Sequence, residues 1–144
     1  MNTKSYGIIP ILQKNKKTKF LLVQHNSGHW SFPKGGIKKG ETKIESAKRE
    51  LKEETGITNC EILNNTCFTE SYSFEKNGQN YHKTVKYFLA RVKNQKIKLL
   101  KSELQNYKWV KFEQAIKLIA YPSTKDILKN VKKYLNNMQS ADLY

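Results

Sequence analysis

Cysteine occurs only twice, as Cys60 and Cys67, and neither has a His or a second Cys at metal-ligand spacing. That excludes a zinc site or a disulfide framework and leaves free thiols in a reducing compartment as the expectation. Long apolar runs are also lacking, so no transmembrane helix is expected. The short apolar stretch 8–12 is followed, not preceded, by its lysines, unlike a signal peptide. These absences point to a cytoplasmic protein without a membrane partner. Acidic residues are few, 12 against 27 Lys+Arg, for a formal net charge of +15. Arginine is rarer still, limited to Arg49 and Arg91, while lysines spread from Lys4 to Lys133. That spread fits a Lys/Asn/Ile-rich composition as well as attraction to an anionic polyphosphate, with a dedicated RNA-binding face as the lesser reading.

Five of the twelve acids nevertheless crowd into residues 35–57. Thr42 and Glu45 have capping-box spacing, Gly56 is suited to a left-handed C-cap, and no Pro or Gly falls between them. The spacing predicts a helix over 43–55, with Glu50, Glu53 and Glu54 on one side and Ile44, Ala47 and Leu51 as a neighbouring apolar stripe. Like charges at i, i+3 and i, i+4 oppose a helix, and a divalent cation removes the repulsion. Oxygen-only donors in a tight group suit Mg²⁺, with Mn²⁺ as the alternative. Arg49, one turn before Glu53, is placed to orient that carboxylate through a bidentate pair. Gly35, Gly36 and Gly40 leave the preceding loop free to approach phosphate or metal.

These residues resemble the Nudix box, G-x5-E-x7-R-E-U-x-E-E-x-G-U with U a bulky apolar residue. Gly35, Glu41, Arg49, Glu50, Leu51, Glu53, Glu54, Gly56 and Ile57 fill every specified position. The resemblance implies an α/β fold, an α/β/α sandwich with a mixed central sheet. It also implies Mg²⁺-dependent hydrolysis of a pyrophosphate linkage by metal-activated water. It assigns the metal to Glu50, Glu53, Glu54 and the backbone carbonyl of Lys34, makes Arg49 their orienting partner, and gives Glu41 a structural role. The family's general base lies within or outside the box; outside it the choice here is Glu103, with a solvated loop acid as the alternative.

The flanks resemble one branch of that family, the asymmetric diadenosine tetraphosphate hydrolases of the animal and archaeal type. The likeness rests on Trp30-Ser31-Phe32-Pro33-Lys34-Gly35, on residues 82–89, and on the spacing of Glu103 to Trp109. On this reading His29 and Lys34 neutralise far phosphates, and Lys83 and Tyr87, on one strand face, hold an internal phosphate. Tyr72 and Tyr121 stack on an adenine. Core packing is the alternative for Tyr72 and Tyr87, and a helix-break role for Tyr121. Gly36-Ile37 and Phe32 also resemble RNA pyrophosphohydrolases, so an RNA 5′ end is the second candidate substrate and a nucleoside triphosphate the third. A nucleic-acid-binding module of the same fold is the non-enzymatic rival.

The rest of the chain reads as one domain, 1–144, with loose ends at 1–4 and 139–144, expected to act as a monomer. Strands are expected at 5–12 and 19–24 as a hairpin, at 66–74 and 81–92 around the turn Asn77-Gly78, and at 107–112. The pattern turns helical from Glu113, is interrupted at Pro122 and resumes over 125–138.

Overall fold

A computed structural model describes residues 1–93 and 96–138. Strand β1 (Asn2–Lys14) is the centre of a mixed seven-stranded sheet. It pairs in parallel with β6 (Gln79–Val92) over Asn2↔His82 to Ile11↔Arg91, and its far end forms an antiparallel hairpin with β2 (Lys17–His25). Parallel pairing buries both faces, as the unbroken buried run from Ser5 to Ile11 shows. Side chains then alternate between two cores. Ile9, Ile11, Phe20, Leu22, Val85, Tyr87 and Leu89 enter one; Tyr6, Ile8, Leu21, Phe88 and Ala90 enter the other.

Helix α1 (Lys43–Thr55) covers the second core with Ala47 and Leu51. The first core is closed by Ala115 of α2 (Phe112–Leu118) and by Ile127, Leu128, Val131 and Leu135 of α3 (Pro122–Met138). Helices on both faces of a mixed sheet give the expected α/β/α sandwich. The remaining strands are β3 (Trp30–Ser31), β4 (Lys34–Gly36), β5 (Cys60–Lys76) and β7 (Leu104–Val110).

Several boundaries depart from expectation for identifiable reasons. Residues 1–4 are not loose: β1 starts at Asn2 against His82, and the Met1 ammonium donates to the Asn80 carbonyl at 2.8 Å. The C-terminal end, 139–144, lies outside the described residues. Strand β5 begins at Cys60, because Asn64 and Asn65 take left-handed angles (φ 49° and 51°) in a bulge that shifts register between Ile62 and Cys67 and hides the period-2 signal. Pro122 opens α3 instead of interrupting a helix, since the first helical residue needs no amide donor. Asn77 and Gly78 both have positive φ, 53° and 77°, as a tight hairpin turn requires.

Candidate active site

The loop before α1 is placed by a change of partner. Trp30 and Ser31 pair with β2; after Phe32 and Pro33, Lys34–Gly36 pairs instead with β1, setting Gly7 opposite Lys34. Fully buried Phe32 packs edge-on to Tyr87 and Pro33 accepts a hydrogen bond from the Ile8 amide at 3.1 Å, which anchors the crossing. Gly35 follows because nothing larger fits: a Cβ there would coincide with the Glu50 carboxylate. Helix α1 has the expected capping box, with Thr42 Oγ1 accepting from the Glu45 amide and Glu45 Oε1 accepting from the Thr42 amide, and it ends at Gly56 with φ 79°.

Arg49 joins loop to helix. Its Nε and Nη2 donate to the two Glu41 oxygens at 2.6 and 3.1 Å, Nη2 also donates to the Gly36 carbonyl at 2.8 Å, and Nη1 donates to Glu50 at 3.0 Å and Glu53 at 3.1 Å. The bidentate partner is therefore Glu41, not Glu53, because the extended loop brings Glu41 edge-on to the guanidinium while Glu53 meets a single nitrogen. Glu41 further accepts from the Lys38 amide, and the Arg49 fork holds its carboxyl below the usual range.

The three helix carboxylates differ in environment. Glu53 is exposed, Glu50 is half-buried, and Glu54 is only 3% exposed. Burial, then the charges of Glu50 and Glu103, push the Glu54 carboxyl up to about 8, against the pull of Lys34. Glu54 Oε1 is buried without a hydrogen-bond partner. Among the described residues no three His, Cys, Asp or Glu side chains are already arranged to hold a metal ion. Arg49 keeps Glu50 and Glu53 engaged instead. The orphaned oxygen of Glu54 beside Glu50 is nonetheless a site a hard cation would satisfy, and the all-oxygen donor set fits one.

Beside Glu54 the loop 98–104 is tied to the end of α1: the Lys98 amide donates to Thr55 and the Leu100 amide to Glu54, at 2.8 and 3.0 Å. Glu103 thus lies close enough for its charge to raise Glu54.

On the other side of Lys34 opens a cavity of about 860 Å³, lined by His29, Lys34, Lys83, Tyr72, Tyr121 and also His25. Five of the six residues expected to touch substrate therefore share one space. Tyr87 does not. It lies on the same strand face as Lys83, but two steps deeper, fully buried in the core with its hydroxyl donating to Glu70 Oε1 at 3.2 Å. The expected phosphate contact from Tyr87 is corrected to a core role, because α3 and Phe32 cover that part of the face.

Sequence reasoning passed over two residues. Glu70 is buried and accepts from Tyr87 and from Thr124 Oγ1 (2.9 Å), linking α3 to the sheet and helping to keep Lys34 protonated. The available signal was an acid on the apolar side of a strand, in phase with Phe68 and Tyr72. His25 stacks on His29 with ring centroids 4.2 Å apart and bonds Ser31 Oγ through Nε2 at 2.8 Å. Burial, then the charges of His29, Lys34 and Lys83, depress it to about 4. Lys34 is depressed to about 8 by burial and by Lys83. Tyr121, half exposed, meets His29 edge-on at 5.3 Å.

An acidic helix beside a cationic and aromatic cavity suits the hydrolysis of a phosphoric anhydride. Comparison with known proteins narrows the class. A family model described as NUDIX domain matches residues 1–131, and the chain belongs to the Nudix family. It is 34% identical over 137 residues to the asymmetrical bis(5′-nucleosyl)-tetraphosphatase of Caenorhabditis elegans, covering 94% of this chain and 98% of the relative. The crystal structure of a C. elegans Ap4A hydrolase binary complex superposes with a TM-score of 0.81 at 33% identity, over 94% of this chain and 98% of that one. An RNA pyrophosphohydrolase of Pelagibacter ubique is 30% identical over 144 residues, covering 90% of this chain and 91% of the relative. Nudix hydrolases generally use divalent metal ions.

Proposed function

We propose that this protein is a Mg²⁺-dependent hydrolase that cleaves diadenosine tetraphosphate asymmetrically into ATP and AMP. The observation that carries the reading is the position of Lys34, whose side chain lines the aromatic and cationic cavity while its charge acts on Glu54 of the acidic helix. A polyphosphate lying in that cavity runs toward the carboxylates, and its two ends are not equivalent. The names of the C. elegans relatives support the same substrate.

Each residue then has defined work. Glu50, Glu53, Glu54 and the Lys34 carbonyl hold the cation, which when bound supplies charge neutralisation and Lewis acidity. Arg49 and Glu41 keep the carboxylates in place, and Glu103, adjacent to Glu54, accepts the proton of the attacking water. Lys34, Lys83 and His29 bind phosphates away from the cut, and Tyr72 and Tyr121 pack on the adenine. His25 sets the orientation of His29 by stacking. The chain works as a single domain, as a monomer in the cytoplasm; no helix among the described residues is long and apolar enough to cross a membrane.

The Pelagibacter relative supports a second reading, removal of pyrophosphate from an RNA 5′ end by the same residues. Incubation with both substrates and Mg²⁺, with products identified, separates the two. ATP and AMP in equal amounts are expected; faster pyrophosphate release from triphosphorylated RNA reverses the order, and no hydrolysis of any substrate favours a binding module.

A further inference from the structure

The turn joining β1 to β2 gathers positive charge away from the catalytic cavity. Lys14, Lys16, Lys17 and Lys19 follow closely there; Lys14 and Lys17 are direct cross-strand partners, and Lys16 holds a left-handed φ of 63°. Like charges directly opposite one another work against a hairpin. Lys14 is seven residues along β1 from Gly7, which pairs with Lys34, so strand rise puts the turn ~23 Å from the catalytic loop. A ligand bound there does not share the catalytic cavity.

Two clefts flank this turn. One, about 710 Å³, is lined by Lys14, Lys17, Lys19 and Arg91 and by no carboxylate. The other, about 230 Å³, shares Lys16 and Lys17 with the turn and adds Lys111 and Lys132 against a single acid, Glu113. Arg91 is occupied by Glu61 at 2.9 Å, so the lysines set the sign of the first cleft. Gln13 supplies an independent sign of a ligand. It lines the first cleft; its Oε1 accepts from Arg91 Nε at 2.9 Å, which fixes the amide orientation, and its Nε2 is a buried donor with no partner. An unpaired buried donor on a residue that neighbours these lysines is one that an anionic oxygen would satisfy.

We propose that this end of the molecule binds the sugar-phosphate backbone of a single-stranded nucleic acid, independent of base sequence. Lys14, Lys17 and Lys19 neutralise its phosphates and Gln13 Nε2 donates to a phosphate oxygen. Paired clefts on either side of a projecting turn suit a flexible chain of phosphates. None of the exposed large apolar residues (Met1, Ile37, Phe74, Tyr107, Tyr121) lines either cleft, which gives lipid little to receive, and the partly buried ring of Phe112 in the smaller cleft is covered by Lys132 Nζ at 5.3 Å from its centroid. The backbone is what remains to be read. The proposal does not depend on the hydrolytic substrate.

Fluorescence anisotropy tests it with the full chain, a chelator, and short labelled RNA and DNA single strands of one sequence ending in a 5′-hydroxyl, so that no terminal phosphate seeks the catalytic cavity. Both strands are expected to bind, more weakly as salt rises. Lys17→Glu with Lys19→Glu is expected to cost at least ~10-fold in affinity and to flatten the salt dependence by about one to two released counterions. Gln13→Leu, without change of charge, is expected to weaken binding a few-fold. The control pair Lys43→Glu with Lys52→Glu, on the exposed side of α1, is expected to stay within about twofold. Unchanged dinucleotide hydrolysis by the Lys17/Lys19 variant verifies its fold. Absence of binding, an equal loss in the control pair, or tighter binding to phosphatidylserine vesicles than to either strand overturns the proposal.

Discussion

Raising the pH from 6.5 to 8 is expected to destabilise the metal-free protein through one carboxyl group. Glu54 is pushed from its ordinary 4.5 to about 8 by burial and by the neighbouring charges of Glu50 and Glu103. Between those values the folded chain carries a proton that the unfolded chain has lost, so stability must fall as the pH rises. The slope is about 1.4 kcal/mol per pH unit while Glu54 is fully protonated and half that at pH 8, which integrates to roughly 1–2 kcal/mol over this interval. His25, depressed from 6.5 to about 4, and Lys34, depressed to about 8, each oppose this fall by a few tenths of a kcal/mol at the edges of the window, and His29, also depressed by burial, acts in the same direction. Urea unfolding in a chelating buffer measures the effect. Relative to Glu54→Gln, wild type is expected to lose roughly 1–2 kcal/mol across the window. Excess Mg²⁺ is expected to flatten or reverse the wild-type trend, because the cation binds the ionised carboxylate. Equal slopes in wild type and Glu54→Gln refute the reasoning.

Three further outcomes follow from the geometry. Arg49→Lys keeps the charge but loses the fork on Glu41 and the bond to Gly36, and is expected to cost ~10–100-fold in Mg²⁺ affinity or turnover, measured by calorimetric titration and initial rates; a change within twofold speaks against an orienting role. Tyr87→Phe leaves Glu70 Oε1 without that donor and is expected to lower stability by ~1–3 kcal/mol with KM unchanged; a raised KM at unchanged stability would return the residue to the substrate. Glu103→Gln is expected to reduce kcat by ~10²–10⁴-fold, and unimpaired turnover removes it from the mechanism.

Local chemistry made α1 legible. Thr42, Glu45 and Gly56 set its ends, and its bounds are those the spacing predicts. The Asn77-Gly78 turn was readable for the same reason, since its backbone angles are demanded by its own residues. The spacing Gly35, Glu41, Arg49, Glu50, Glu53, Glu54 also carried the family, because a loop and one helix place all of these groups without help from the rest of the chain.

What the sequence left open depends on distant partners. Glu41 or Glu53 as the fork's partner was decided by the path of the loop after β4 paired with β1. Tyr87 shares a strand face with Lys83, and period-2 alternation treats them alike; only the packing of Phe32 and α3 buries one and leaves the other at a cavity. Glu70, His25 and the unpaired oxygen of Glu54 acquire their character from burial, which needs the second face of the sheet in place. The sequence by itself thus determined the acidic helix, its ends and its chemistry, since capping and helical periodicity act within a few residues. Tertiary structure alone decided which carboxyl is desolvated and which aromatics line the cavity, because desolvation is a property of what packs around a group.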